Sequence, residues 1–295
     1  MRIVVAGATG ALGSRLVPLL VEGGHQVVGL TRSSEKAAGL RAVGAEPVVA
    51  DGLDRDAVLR ALRQARPEVV LHQLTALAGM TSFRKFDEGF ALTNRLRTEG
   101  TDHLLAAARA SGVRRLVAQS FGGWPLARVG GLVKTEDAPL DPDPPAELRR
   151  TLDAIRHLES AVLGAEGLEG VVLRAGTGVW SFVHIDDAAA ATVAAIERGA
   201  PGRYHIVDDD PAPVSAWLPA LAAAIGAKPP RRVPGWVGRL AAGEHGVVLS
   251  TEVRGASNAK AKRELGWKPA YPSWRQGFRT GLGRAVPGRM AVGHG

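Results

Sequence analysis

The segment Gly7-Ala8-Thr9-Gly10-Ala11-Leu12-Gly13, directly after the apolar run at residues 2–6, constrains this chain more than any other feature. Glycines at every third position, between a strand-like run and a helix-like one, permit a tight turn, close backbone approach to a ligand and close packing of helix on strand. The start of the following helix points free N–H groups and a partial positive charge into the loop, which suits a pyrophosphate. A glycine triplet alone is weak evidence. Its place inside a strand–helix–strand unit is what gives it meaning. Gly7, Thr9, Gly10, Ala11 and Leu12 are therefore candidate ligands of a dinucleotide.

The first half continues the alternation. Apolar, β-branched runs at 2–6, 26–30, 46–50, 69–74, 115–119 and 171–174 read as strands. Segments with helical spacing lie between them at 12–22, 34–43, 54–63, 93–110 and 147–163. Such alternation predicts a doubly wound parallel sheet of Rossmann type, with helices on both faces. The pattern then loosens: a helix at 186–198, a strand at 204–207, a helix at 213–225, an apolar helix near 236–242 and short helices at 258–265 and 273–282. This predicts a dinucleotide-binding domain over 1–170, a smaller α/β substrate lobe interleaved with it over 171–284, and a mobile tail at 285–295.

The length of 295 residues, with 45% hydrophobic and 22% charged residues, suits a globular protein of this kind. The chain has no cysteine, so disulfides, thiolate nucleophiles, Cys-ligated zinc and iron–sulfur clusters are excluded, and no metal is expected. The opening residues lead straight into a strand with no leader pattern, and the apolar stretch around 178–197 is broken by His184, Asp186 and Asp187. A cytoplasmic protein with no membrane contact is expected. The formal charge of +8 raises the question of nucleic acid, yet the basic residues occur at most as pairs such as Arg114-Arg115 and Arg231-Arg232. A small-molecule substrate is the expected partner, with a homodimer left open and no specific nucleic acid.

The second strand ends in Thr31-Arg32-Ser33-Ser34, where an NAD site usually carries a carboxylate for the ribose hydroxyls. Arg32 can instead meet a 2′-phosphate with paired donors, which favours NADP over NAD. Asp51 and Gly52, past the third strand, fall beside the adenine. Leu74, Thr75 and Ala76, past the fourth, fall beside the nicotinamide ribose.

These pieces resemble the extended short-chain dehydrogenase/reductase superfamily, in its NAD-dependent epimerase/dehydratase branch. The matching segments are GATGALG (7–13), ADGLD (50–54), VVLHQLTA (69–76), TNRLRTEGT (93–101), RRLVAQS (114–120), VVLRAG (171–176), SFVHIDDAAAA (181–191) and the LGW-P region at 257–278. The resemblance implies an NAD(P)-binding domain and a C-terminal lobe over a small substrate. It also implies a Tyr-x-x-x-Lys pair on the helix after the fifth strand, in which lysine lowers the tyrosine's pKa and the tyrosine moves a proton. Aligned through Glu159, those two positions hold Thr151 and Ile155, so the pair is absent. Ser120 matches the family's helper hydroxyl.

A threonine hydroxyl is too weak an acid to replace that tyrosine, so either another group acts or the protein does no proton-coupled redox chemistry. Ser120, Lys134, Glu136, His157 and His184 are candidates, with Glu136 the expected base, because its loop leaves the carboxyl end of the sheet. His184 and Asp187 are expected to orient the lobe junction, and Trp124 either to wall a ring-bearing substrate or to pack in the core. The leading reading is an NADP(H)-binding oxidoreductase or epimerase with an atypical proton-transfer group. Cofactor-independent acid–base chemistry, with Glu136 as base, and a dinucleotide sensor are the alternatives. Arg174 and Phe182 are close in sequence for this family, which predicts either a truncated lobe or a wide Cα spacing between Ala175 and Gly178.

Overall fold

In a computed structural model, residues 1–77, 86–177, 180–231 and 235–281 are described. The order begins β1 (Arg2–Ala6), α1 (Gly13–Glu22), β2 (Gln26–Thr31), α2 (Ser34–Ala42), β3 (Glu46–Val49), α3 (Arg55–Ala65) and β4 (Val69–His72). It continues through α4 (Phe86–Gly89), α5 (Ala91–Arg97), α6 (Glu99–Ala110), β5 (Arg115–Gly123), β6 (Val133–Lys134) and α7 (Arg149–Leu163). The last part holds β7 (Glu169–Thr177), α8 (Ile185–Glu197), β8 (Gly202–Ile206), α9 (Val214–Ala224), α10 (Gly235–Thr251), β9 (Gly255–Ala256), α11 (Ala259–Leu265) and α12 (Trp274–Gln276).

Seven strands form one sheet in the order β3-β2-β1-β4-β5-β7-β8, every pairing parallel. Alternate residues of β1 feed two cores, as a sheet covered on both sides requires. Ile3 and Val5 pack with Leu16, Val17 and Leu20 of α1 and with Ala191, Ala195 and Ile196 of α8. Val4 and Ala6 pack with Val58 and Leu62 of α3, Leu104 and Ala108 of α6, and Leu158 and Val162 of α7. The α/β, doubly wound parallel fold is thus the one the alternation predicts.

Strand order runs outward from β1 to β3 and then reverses to β4. The crevice beyond the carboxyl ends of β1 and β4 is the switch point where ligands of such sheets bind. The C-terminal part of the chain lends β7 and β8 to the same sheet, while β6 and β9 pair in parallel as a small separate one. Among the described residues no helix is long and apolar enough to cross a membrane.

Three local readings change. The helix read at 93–110 is two helices, broken at Thr98 (φ −94°, ψ −84°), whose hydroxyl donates back to the Asn94 and Arg95 carbonyls. The helix near 236–242 runs on to Thr251 past a break at Gly243 (φ 73°, ψ 177°), a conformation open to glycine. The segment at 273–282 is one helical turn, α12, followed by a wider π-type turn at Gly277–Gly281. The tail at 285–295 lies outside the described residues, as does Gly178, the end of the span expected to hold a wide Cα spacing; residues 175–177 of that span belong to β7.

Candidate active site

The glycine loop leaves β1 toward the switch point. Gly7 has φ +94°, and a Cβ there would stand 2.6 Å from the Gln73 carbonyl oxygen, so the turn itself demands glycine. At Gly13 a Cβ would stand 2.3 Å from the Gly7 oxygen, which lets α1 start close against the strand. Gly10 differs. A Cβ there meets only the Gly7 oxygen, at 3.2 Å, and Gly10 and Ala11 are exposed. The Ala11, Leu12 and Gly13 amides find no acceptor among the described residues, and Leu12 caps α1 without a side-chain bond. Open space, three unclaimed donors and a helix N-terminus fit a pyrophosphate.

The other cofactor candidates stand at neighbouring strand ends. The Thr9 and Thr31 hydroxyls lie 3.4 Å apart across β1 and β2, and Arg32 is exposed beside them with no acidic partner among the described residues. Asp51 accepts the Leu53 N–H at 3.0 Å in the turn before α3. Gly52 leaves room for Leu74, since a Cβ would come within 2.5 Å of Leu74 Cδ1. Thr75 is exposed, and the Ala76 N–H donates to Thr93 Oγ1 of α5 at 3.0 Å.

On α7, the two positions aligned with the family's pair are both taken up by neighbours within the fold. Ile155 is fully buried in a cluster with Phe86, Phe90, Trp124, Leu148 and Leu152. The hydroxyl of Thr151 donates to Asp87 Oδ1 at 2.5 Å and accepts from Asn94 Nδ2 at 3.0 Å. Asp87 also accepts the Arg150 and Thr151 N–H groups, both at 2.9 Å, and so caps a helix that lacks a cap of its own. Trp124 stands edge-on to Phe86 at 5.6 Å.

Ser120 and Glu136 are not brought together. Ser120, on β5, donates to Glu159 Oε1 at 2.8 Å. Glu159 also accepts from Arg174 Nε at 2.8 Å and Nη2 at 2.6 Å, and from Arg203 Nε at 3.1 Å. Burial pushes the Glu159 carboxyl up, but the Arg174 bonds and charge, with Ser120 and Arg203, hold it below its ordinary range. Glu136 is buried, and its Oε1 accepts the His205 N–H of β8, the edge strand two places beyond β5, at 3.0 Å. Each of these two side chains is held by a partner belonging to the fold.

The remaining candidates also have other duties. His157 pairs with Asp102 at 2.8 Å on the exposed face of α7. Lys134 donates to the Val129 carbonyl. His184 stacks on Tyr271 at 3.8 Å, and Asp187 accepts the Ala270 and Tyr271 N–H groups at 2.6 and 2.9 Å, which ties the LGW-P segment to α8.

Two residues beside the crevice escaped the sequence reading. His72, at the end of β4, accepts the Leu74 N–H at Nδ1 (3.3 Å), so its Nε2–H donates to Thr101 Oγ1 (3.0 Å). Burial, then the charge of Arg97, lowers its pKa to about 4, so it is neutral. Arg97, ending α5, lies beneath the rings of Phe90 and Phe121, 5.8 and 5.6 Å from their centroids. Its spacing from Thr93, Thr101 and Leu104 put it on the inner face of a helix, a signal its charge disguised.

The comparisons agree with this geometry. The NAD(P)H-binding family model matches residues 7–179. Over 94% of this chain and 99% of the relative, the sequence is 44% identical to a 3-diazoavenalumate denitrifying reductase of a Streptomyces species. Two solved structures share the fold. UDP-glucose 4-epimerase of Thermotoga maritima with UDP-glucose has a TM-score of 0.70 and 21% identity over 95% of this chain and 96% of that one. UDP-glucose 4-epimerase of Thermus thermophilus with NAD has a TM-score of 0.68 and 23% identity over 95% and 97%. A glycine cradle at the switch point of a parallel sheet, and a family model matched over more than half of the chain, place this protein in the NAD(P)H-binding family, as an NAD(P)-dependent oxidoreductase- or epimerase-like enzyme.

Proposed function

We propose that this enzyme is an NADP(H)-dependent reductase that removes the diazo group of an aromatic substrate as dinitrogen. The observation that carries the reading is the state of the two residues aligned with the family's Tyr and Lys: Thr151 is bonded to Asp87 and Asn94, and Ile155 is buried in an apolar cluster. Reducing a ketone to an alcohol consumes a proton as well as a hydride, and epimerising a carbinol needs a base at its hydroxyl. An aryl diazonium group needs neither. A hydride added to its terminal nitrogen gives an aryl diazene, Ar–N=N–H. The C–N bond then breaks, the hydrogen ends on the ring carbon, and N2 leaves. Atoms and charge balance with no proton drawn from a side chain. The similarity to a denitrifying reductase along nearly the whole chain supports the same chemistry.

A reduced nicotinamide, when bound, supplies the hydride. The chain's own residues hold and shield. The Ala11 to Gly13 amides would meet the pyrophosphate, and Arg32, with no carboxylate to repel the phosphate, would meet a 2′-phosphate. Phe86, Phe90 and Trp124 would flank the aromatic ring and keep water from a reactive diazo group. Ser120 and Glu136 would support the sheet and take no proton. The test is to mix the protein with NADPH and a diazotised aminophenol while following nicotinamide absorbance and gas evolution together. One dinitrogen per NADPH oxidised is expected. Diazo loss at an unchanged NADPH level, or oxidation of NADPH with no gas, refutes the proposal.

A further inference from the structure

We propose that Arg97 reads a carboxylate on the aromatic substrate, making it the specificity residue of this site. The inference rests on the reductase reading above and names which aromatic compounds the site would take. Arg97 is 4% exposed, and its Nη1 is buried without a hydrogen-bond partner. No Asp or Glu pairs with it among the described residues, and the remaining segments of the sequence contain neither residue type. Burial lowers its pKa only to about 10, so it stays charged at neutral pH. A buried, uncompensated guanidinium is among the most costly groups a fold can keep, and the two phenyl faces offset only part of that cost.

The surroundings point to the missing counter-charge. One turn before Arg97, Thr93 holds the Ala76 N–H at the exit of β4, and Asn94 holds Thr151 at the former tyrosine position. Thr93 and Asn94 thus tie α5, which carries Arg97, both to the strand end assigned to the nicotinamide ribose and to α7. Asn94 Oδ1 is likewise buried without a partner. Thr101, which receives the His72 hydrogen, donates to the Arg97 carbonyl at 2.7 Å and fixes the turn that carries the side chain. Because His72 is neutral, it adds no charge to that of Arg97, whose single charge balances a monoanion; a phosphate dianion would leave charge uncompensated. A planar guanidinium beside two rings matches a carboxylate conjugated to an arene.

The test uses trans-4-hydroxycinnamate and its primary amide, titrated calorimetrically into the NADP+-loaded protein, so that no reaction is required. The wild type should bind the acid about 10- to 150-fold more tightly than the amide, the value of a charge-assisted contact. Arg97→Gln should bring the two ligands to the same affinity while NADP+ affinity is unchanged. Arg97→Lys, which keeps the charge but not the fork, should keep part of the preference. Equal affinity for acid and amide in the wild type, no binding of the acid, or a preference that survives Arg97→Gln overturns the inference. If Arg97→Gln fails to fold by circular dichroism, the wild-type comparison and Arg97→Lys decide. Acid preference without dinitrogen release upholds Arg97 and removes the diazo reading. Dinitrogen release without acid preference does the reverse.

Discussion

Replacing Glu159 by Gln tests whether the charged cluster under β5 holds the fold or serves the reaction. Glu159 and Arg174 are each 2% exposed at the side chain, and the carboxylate receives bonds from Ser120, from Arg174 twice and from Arg203. Arg174 Nη1 already lacks a partner, so losing the carboxylate leaves a buried guanidinium with no counter-charge. Breaking one side of such a pair costs about 3–5 kcal/mol, a large share of the roughly 5–15 kcal/mol that holds a domain together. Urea unfolding followed by circular dichroism should show that loss as a lower midpoint with little change in slope. Ser120→Ala removes one donor to a charged group and should cost about 1.5–3 kcal/mol. Its turnover at saturating substrate should match the wild type. A Glu159→Gln protein within about 1 kcal/mol of the wild type contradicts the claim that the pair is structural. So does a Ser120→Ala protein of unchanged stability whose turnover falls by the roughly 100-fold or more expected of a lost acid–base group.

Gly10→Val should fold, because its Cβ meets only one oxygen, yet lose NADPH binding measured by fluorescence; retained affinity in a folded variant refutes the cradle assignment. Arg32→Asp should reverse the preference for NADP over NAD, a change of about 10- to 150-fold in relative affinity by equilibrium titration, and unaltered ratios count against a 2′-phosphate contact there. Asp208, raised to about 7 chiefly by burial, holds a proton in the folded state that the unfolded chain releases near its ordinary value of 3.8. The unfolded state therefore binds fewer protons between those values, and stability should fall as pH rises from about 4 to about 7. Asp208→Asn should flatten that part of the profile, and an unchanged slope shows that another group is responsible.

Short-range order determined what could be read from the residues alone. A glycine loop needs only its own seven residues and the strand before it, and β1 spans residues 2–6 as its apolar run indicates. The Ser33 and Asp54 caps are equally local: each accepts an N–H three residues on. Thr151 and Ile155, at the positions aligned with the family's Tyr–Lys pair, could be read because they concern residue identity at a fixed spacing. Contacts between distant segments were beyond such reasoning. Nothing near Ser120 in the sequence points to Glu159, 39 positions away, and nothing near Glu136 points to the His205 amide, 69 positions away. The Asp87 cap on α7 and the empty charge of Arg97 likewise arise only when α4, α5, α7 and β5 are packed together. Burial decides the charge state and duty of a polar side chain, and burial belongs to the assembled sheet and its helices, which no window of neighbouring residues contains.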